Sequence, residues 1–249
     1  MPLRISPFRH VPNTITCLNL LCGCLSIVLS TNGQLETAAY FIFAAAVFDF
    51  LDGFAARMLK AYSSIGKELD SLADVVSFGV APAFIMYDLL LSVIAQHDLS
   101  VDFLTCGWFI AASAFLIAIF SALRLAKFNI DTRQTDSFIG LPTPANALFI
   151  CSLAFMSTGN HLLAVCTGNM FFLLAVTVVF SYLLVAELPL FSLKFKSFDW
   201  KNNKTRYIFI ALSAILLIIL HWAGLAAVIL LYIILSILTN ILCNRKTST

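Results

Sequence analysis

Apolar runs about as long as a bilayer is thick recur along nearly the whole chain. A helix needs roughly 20 apolar residues to cross a hydrocarbon core of about 30 Å. The runs lie at about 14–30, 36–57, 68–96, 103–126, 145–163, 168–188, 206–222 and 224–242. Because 61% of the residues are hydrophobic and only 11% are charged, an ordinary soluble domain is excluded. The sequence therefore predicts an all-α polytopic membrane protein with about eight transmembrane helices.

The basic residues support this number of spans independently of hydropathy. With eight spans, all 15 Lys and Arg residues fall on one side of the membrane. The loops on the opposite side, around 31–35, 97–102, 158–167 and 221–224, contain no Lys or Arg. Basic residues favour the cytosolic side of a membrane. The sequence therefore predicts a multi-pass protein of the cytoplasmic (inner) membrane, with both termini facing the cytosol.

The loop pattern divides the chain into three parts. Residues 1–190 are predicted to form a six-helix membrane core that includes a short cytosolic N-terminal segment. Residues 191–205 are predicted to form a cytosolic interfacial loop, and residues 206–249 two additional helices with a cytosolic C-terminus. The lysines and aromatic residues of the loop are typical of a membrane boundary, so no nucleic-acid partner is expected.

Four aspartates, Asp49, Asp52, Asp70 and Asp74, lie inside the second and third apolar runs. Carboxylates at membrane depth are costly and indicate a functional site. Members of each pair are three or four residues apart and would share one helix face. A short connection makes the two helices antiparallel neighbours, so the carboxylates would repel one another unless a cation lay between them. Oxygen ligands favour magnesium, manganese or calcium over zinc.

Small residues and one arginine accompany the aspartates. Gly53, Ala56 and Gly66 leave room for a ligand or for a second helix backbone. Arg57 could bind an anionic group near the metal, since a guanidinium matches phosphate geometry. Ordinary helix packing by the small residues, and extension of Arg57 to the membrane surface, are the alternatives.

These features together predict chemistry on a phosphorylated substrate embedded in the membrane. The site would open to the cytosol, because Arg57 and Lys67 mark that end of its two helices. The sequence has no glycine-rich loop of the Walker type, which argues against a P-loop enzyme. A cation or proton transporter is the remote alternative, but the second half of the chain has no matching acidic pair.

The spacing of eight residues resembles the signature of the CDP-alcohol phosphatidyltransferase family. In order, they are Asp49, Asp52, Gly53, Ala56, Arg57, Gly66, Asp70 and Asp74. Three flanking segments are most similar to the serine-accepting bacterial members: 12–16, 71–83 and 124–147. Lys127 replaces an arginine expected in that group, which weakens any bidentate role there. The similarity covers most of residues 10–190, so the catalytic unit is expected in the six-helix core.

The resemblance implies transfer of a phosphatidyl group from CDP-diacylglycerol to L-serine, with release of CMP. It implies Asp49, Asp52 and Asp70 as ligands of Mg²⁺ or Mn²⁺, with two ions expected. Asp74 would share the second metal or act as the general base on the serine hydroxyl. The same chemistry with glycerol 3-phosphate or inositol as acceptor is the alternative. A homodimer is also expected.

The resemblance further implies two substrate-binding sets. Gly53, Ala56, Arg57 and Gly66 would line the CDP site, with Asn13 and Thr16 at its edge. For the acceptor, the candidates at the cytosolic end of the fourth span are Arg124, Lys127, Asn129 and Arg133. Arg124 is the first choice to bind the serine carboxylate. The alternative for these basic residues is anchoring at the membrane surface and contact with anionic lipid headgroups.

Overall fold

The computed structural model describes residues 10–97, 100, 102–130, 138–158, 161–190 and 200–247. The described helices up to the end of α6 are α1 (Val11–Thr31), α2 (Leu35–Met58), α3 (Ser64–Asp74), α4 (Ala81–Gln96), α5 (Cys106–Ala112) and α6 (Leu116–Ile130). Those that follow are α7 (Thr143–Thr158), α8 (His161–Thr167), α9 (Met170–Val185), α10 (Trp200–Leu220) and α11 (Trp222–Thr247). A π-helical turn, Val75–Val80, joins α3 to α4, and a 3₁₀ turn, Ser113–Phe115, joins α5 to α6. Two short strands, β1 (Phe138–Ile139) and β2 (Pro189–Leu190), pair antiparallel.

The prediction of an all-α polytopic membrane protein is confirmed. Six helical stretches are long and apolar enough to cross a membrane: Val11–Thr31, Leu35–Met58, Ser64–Gln96, Cys106–Ile130, Asn203–Leu220 and Trp222–Ile241. Two shorter apolar helices, α7 and α9, have 16 residues each. These eight stretches follow the order of the eight predicted spans.

The fifth predicted span, 145–163, covers parts of two described helices. Helix α7 ends at Thr158 and helix α8 begins at His161, and residues 159 and 160 lie outside the described residues.

The hairpin between α2 and α3 ends and restarts the helices by local means. Lys60 adopts a left-handed conformation with φ of 50°, and the Ala61 N–H donates to the Ala56 carbonyl at 3.0 Å. This is a helix-ending pattern that satisfies carbonyls of the last turn. Ser63 then caps α3 by accepting a hydrogen bond from the Gly66 N–H at 2.9 Å. The cap explains why α3 begins at Ser64 rather than at the predicted 68.

The continuous path through α3, the π-helical turn and α4 forms the centre of the molecule. Helix α4 supplies many fully buried side chains, among them Ile85, Met86, Leu90 and Ile94. Helices α1, α2, α5, α7 and α9 all contact it. The π-helical turn is packed closely on both sides: a Cβ on Gly23 of α1 would lie 2.8 Å from the Ser77 Cα, and one on Gly79 would lie 3.0 Å from the Ser121 Cβ. These contacts fix the end of α3 between α1 and α6.

Helices α10 and α11 are joined through a tight turn at His221, whose φ is 48°. This position confirms the predicted boundary between the last two spans. The first residue of α11, Trp222, stacks on Phe155 of α7 with ring centroids 4.2 Å apart, and Tyr40 of α2 meets Trp222 edge to face. The aromatic contacts attach the last two helices to the face of α2 and α7, at the membrane side opposite the α2–α3 hairpin.

Candidate active site

Three of the four signature aspartates converge. One carboxylate oxygen from each of Asp49, Asp70 and Asp74 can be chosen so that all three atoms lie within 4.8 Å of one another. Asp49 lies on α2 and Asp70 and Asp74 on α3, and helix α1 packs against both of these helices. The Asp70 Oδ1 atom is buried and has no hydrogen-bond partner in the described part of the chain. Such a group is normally satisfied by a donor or a cation.

These three carboxylates fit a hard divalent cation. Opposite ligands of an octahedral Mg²⁺ are roughly 4.2 Å apart, since each bond is about 2.1 Å. The observed spread is slightly wider, so small movements of the side chains would complete the coordination. An all-oxygen set favours Mg²⁺ or Mn²⁺ over Zn²⁺. The residues therefore suit the kind of metal that the sequence predicts.

Asp52 lies outside this three-carboxylate group. It is buried and accepts a hydrogen bond from the Thr16 hydroxyl of α1 at 2.6 Å. Thr16, expected at the edge of the CDP site, thus contacts a signature carboxylate directly. Both residues also line the neighbouring cavity. The bond orients Asp52 in the way that outer residues orient metal ligands.

Asn19 is a site residue that the sequence prediction missed. Its side-chain amide donates to the Asp74 Oδ1 at 3.3 Å, and its backbone carbonyl accepts a hydrogen bond from the Ser77 hydroxyl at 3.0 Å. Asn19 is completely buried. The available signal was its position three residues after Thr16, on the same face of an apolar helix. A polar face on α1 therefore contacts both aspartate-bearing helices.

A cavity of about 310 Å³ adjoins the carboxylates. All six residues predicted for the CDP site line it, as do residues of the α2–α3 hairpin and two of the aspartates. The full lining is Pro12, Asn13, Thr16, Asp52, Gly53, Ala56, Arg57, Ala61, Tyr62, Ser63, Gly66, Lys67 and Asp70. Asp70 belongs both to this lining and to the three-carboxylate group. A ligand in the cavity would therefore reach the metal-binding oxygens.

The two glycines of the cavity have different roles. A Cβ built on Gly53 would meet nothing within 4 Å, so this residue leaves open space for a ligand. A Cβ on Gly66 would lie 2.9 Å from both the Asn13 Oδ1 and the Ser63 Oγ. Gly66 therefore allows the start of α3 to approach α1 and its own capping serine. The sequence had left ligand space and helix packing open for both positions.

Two cations lie at the cavity, Arg57 and Lys67, and both are exposed. Arg57 is at the last turn of α2, and Lys67 is on the first turn of α3. Sequence reasoning used Lys67 only for topology, although it is as much a part of the lining as Arg57. Exposed cations beside clustered carboxylates suit an anionic ligand that also carries a bound metal.

The structure does not bring the predicted acceptor residues together in one site. Arg124 is 8% exposed, donates to the Thr143 hydroxyl at 3.4 Å and interacts electrostatically with Asp74. Lys127 is exposed. Asn129 is engaged elsewhere, because its side-chain amide donates to the Ser71 hydroxyl at 2.8 Å.

Arg133, the fourth predicted acceptor residue, lies outside the described residues. Of the other three, only Arg124 is both buried and close to the carboxylates. The Asn129–Ser71 bond instead ties the end of α6 to the residue that follows Asp70. Lys127 lies one turn beyond Arg124, at the end of α6 where the side chains are exposed.

Comparison with known proteins bears on this geometry. A family model described as CDP-alcohol phosphatidyltransferase matches residues 9–186, which is well over half of the chain. The chain belongs to this family. The matched region contains the three-carboxylate group, the cavity and Arg124, and it ends before α10 and α11.

Several curated proteins that are similar to this chain have names that describe transfer to serine or synthesis of a serine lipid. A CDP-diacylglycerol–serine O-phosphatidyltransferase from Helicobacter pylori is 33% identical over 213 residues, covering 85% of this chain and 83% of the relative. A Bacillus subtilis protein of the same name is 35% identical over 174 residues, covering 70% of this chain and 91% of the relative. An archaetidylserine synthase from Methanothermobacter thermautotrophicus is 37% identical over 160 residues, covering 64% and 62%. The family resemblance stated from the signature is confirmed.

Proposed function

We propose that this chain transfers the phosphatidyl group from CDP-diacylglycerol to L-serine, giving phosphatidylserine and CMP. The observation that carries the proposal is the three-carboxylate group of Asp49, Asp70 and Asp74 beside a cavity with two cations. A diphosphate presents anionic oxygens to both features, and the diacylglycerol chains can stay in the bilayer. The names of the relatives support serine as the acceptor.

The chain's own residues have distinct roles in this reaction. Arg57 and Lys67 bind the diphosphate and the CMP moiety from the cavity side. Asp49 and Asp70 would hold the metal together with Asp52, which lies outside the three-carboxylate group and is oriented by Thr16. When bound, Mg²⁺ or Mn²⁺, two ions in our proposal, supplies neutralisation of the phosphate charge. Asp74 accepts the proton of the serine hydroxyl.

The bond changes define what these residues must arrange. The serine oxygen bonds to the phosphorus that carries diacylglycerol, and the bond from that phosphorus to the bridging oxygen breaks. The bridging oxygen leaves with CMP, and the serine proton goes to Asp74. Asn19 donates a hydrogen bond to Asp74, and the Arg124 guanidinium interacts electrostatically with the same carboxylate. Arg124 is therefore placed to bind the serine carboxylate while the hydroxyl faces Asp74.

The cellular placement follows from the same geometry. We propose that the protein lies in the cytoplasmic membrane with its termini and active site facing the cytosol, since Arg57, Lys67 and Lys127 all mark that end of the helices. Residues 1–190 form the catalytic unit in this proposal, in keeping with the family match over 9–186. Helices α10 and α11 then serve packing, and a homodimer stays a prediction, which cross-linking in native membranes would test.

The decisive experiment measures CMP release by the purified full chain in detergent. CDP-diacylglycerol is supplied with Mg²⁺ or Mn²⁺ and with serine, glycerol 3-phosphate, inositol or no acceptor. Release with serine alone, lost on chelation of the metal, supports the proposal. Release with a different acceptor contradicts the serine assignment but keeps the metal site, and a folded protein inactive with every acceptor contradicts the transferase assignment.

A further inference from the structure

Near Arg124, the facing parts of α6 and α7 contain buried polar side chains to which the reaction described above gives no role. Ser121 and Arg124 lie one turn apart on α6, and Thr143 and Asn146 lie one turn apart on α7. All four are at least nine-tenths buried. The Arg124 guanidinium donates to the Thr143 hydroxyl, which joins the end of α6 to the start of α7, while Ser121 faces Gly79 of the π-helical turn. This interface adjoins the three-carboxylate group through Asp74.

Hydrogen bonding at this interface is incomplete. Asn146 is fully buried, yet neither its Oδ1 nor its Nδ2 has a partner in the described part of the chain. The Nε of Arg124 and the hydroxyl of Ser121 also lack partners there. A buried polar group without a hydrogen-bond partner is destabilising. Asn146 therefore has both a donor and an acceptor available to a bound molecule.

A lack of hydrogen-bond partners is not general for the buried polar side chains of α7. Ser152 is equally buried, but its hydroxyl donates to the Phe149 carbonyl of its own helix at 2.6 Å. A serine in a helix can satisfy itself in this way. The side chain of Asn146 has made no such bond, so its polar atoms are satisfied only if something else occupies the interface.

The charges identify the class of that ligand. A buried guanidinium favours a carboxylate, and the start of α7 adds the positive end of a 16-residue helix. The Asn146 carbonyl oxygen can accept a hydrogen bond from an ammonium group. The combination of a cation, a helix start and an amide acceptor suits a small zwitterion, an α-amino acid, better than a polyol.

We propose that Asn146 is a specificity-determining residue of the acceptor site, where its amide binds the α-ammonium of the amino acid while Arg124 binds the carboxylate. The inference rests on the proposed transfer to serine and extends it to a residue outside the aspartate signature. The hydroxyl of the same molecule would then lie near Asp74, because the Arg124 guanidinium interacts electrostatically with that carboxylate.

The test combines variants of the two proposed contact residues with serine analogues that lack the ammonium or the carboxylate. Asn146→Leu keeps a similar shape without the amide, Arg124→Gln removes the cation, and Ser152→Ala is the matched control on α7. Competition with serine is measured for 3-hydroxypropionate, which lacks the ammonium, and for ethanolamine, which lacks the carboxylate. The KM and kcat for serine and the binding of CDP-diacylglycerol are measured in parallel.

For Asn146→Leu we expect the KM for serine and the inhibition constant of ethanolamine to rise about tenfold or more, the effect of one lost polar contact. The inhibition constant of 3-hydroxypropionate should stay within about twofold, as should CDP-diacylglycerol binding. Arg124→Gln should give the reverse pattern for the two analogues, and Ser152→Ala should change neither.

Equal weakening of both analogues by Asn146→Leu, or a loss of kcat at unchanged KM, would overturn the role of Asn146 as an ammonium contact. Correctly folded Asn146→Asp, checked by CDP-diacylglycerol binding, provides a second route: an added negative charge should retain serine binding and weaken 3-hydroxypropionate. Failure of the proposed function looks different, because the unaltered protein would then release CMP with another acceptor or with none.

Discussion

The two sides of the carboxylate cluster differ in how far they are open to solvent. On the hairpin side, Arg57 and Lys67 are exposed and Gly53 leaves an open cavity. On the α6–α7 side, Arg124 and Asn146 are buried in a packed interface. A large nucleotide carried on a lipid needs an open approach, whereas a small polar acceptor is selected best when water is excluded. In our proposal, the open side binds CDP-diacylglycerol and the buried side binds serine.

The largest effect is expected at the carboxylate between the two sides. Asp74→Asn should lower the rate of CMP release about 1,000-fold, since it removes the base for the serine hydroxyl. CDP-diacylglycerol binding should be retained, because the hairpin cavity does not include Asp74. Asp88→Asn, which removes a half-buried carboxylate of α4, is the matched control. Normal turnover by the Asp74 variant would break the assignment of Asp74 as the base.

The next effect tests the open side. Arg57→Ala should raise the KM for CDP-diacylglycerol about 10- to 100-fold, the range expected for a lost charged hydrogen bond. The KM for serine should stay nearly constant, because Arg57 lies on the cavity and Arg124 does not. Arg57→Lys should recover only part of the loss, since an ammonium lacks the planar fork. A shift in the serine KM instead would erase the distinction between the two sides.

A smaller effect is expected at Thr16. Thr16→Val removes the hydroxyl that bonds to Asp52 but keeps the shape of the side chain. We expect about tenfold weaker Mn²⁺ binding, as is typical for residues that orient metal ligands. The metal concentration for half-maximal CMP release and direct Mn²⁺ binding followed by electron paramagnetic resonance both measure it. Ser26→Ala, another buried hydroxyl of α1, is the control, and equal effects in both variants would contradict a role at Asp52.

The smallest effect is expected from the addition of one methyl group to the cavity at Gly53. Gly53→Ala should raise the KM for CDP-diacylglycerol about threefold, equivalent to well under 1 kcal/mol. The Tm in detergent should not fall, because a Cβ there meets no protein atom within 4 Å and alanine is the better helix former. Gly23→Ala makes the contrast, since its Cβ would lie 2.8 Å from the Ser77 Cα and should lower the Tm. A fall in Tm for Gly53→Ala would show that this position is packed rather than open.

Local patterns account for the parts of the site that sequence reasoning predicted. The pairs Asp49–Asp52 and Asp70–Asp74 follow from helical spacing, whereas the packing of α1 against both α2 and α3 was not predicted. The CDP-site residues flank these pairs along the chain and do line one cavity. By contrast, the bonds from Thr16 to Asp52 and from Asn19 to Asp74 join residues 36 and 55 positions apart. The spacing of residues within one helix does not predict how a neighbouring helix is rotated about its own axis.

The acceptor side shows the same division. Arg124, Lys127 and Asn129 are close together in the sequence, but only Arg124 turns into the interface near Asp74. Asn146 escaped prediction because a single asparagine in an apolar run has no distinctive spacing. Its burial, and its lack of hydrogen-bond partners among the described residues, depend on how α7 packs.

The sequence by itself determined that the chain crosses the membrane repeatedly, that its aspartates form two helix-face pairs, and that these pairs follow a family signature. Those properties depend on the length and polarity of each segment in lipid, which act on a helix before it meets its neighbours. Only the tertiary structure decided that Asp49, Asp70 and Asp74 converge while Asp52 bonds to Thr16. Such details depend on the rotation and offset of packed helices, which close contacts such as Gly23 against Ser77 set.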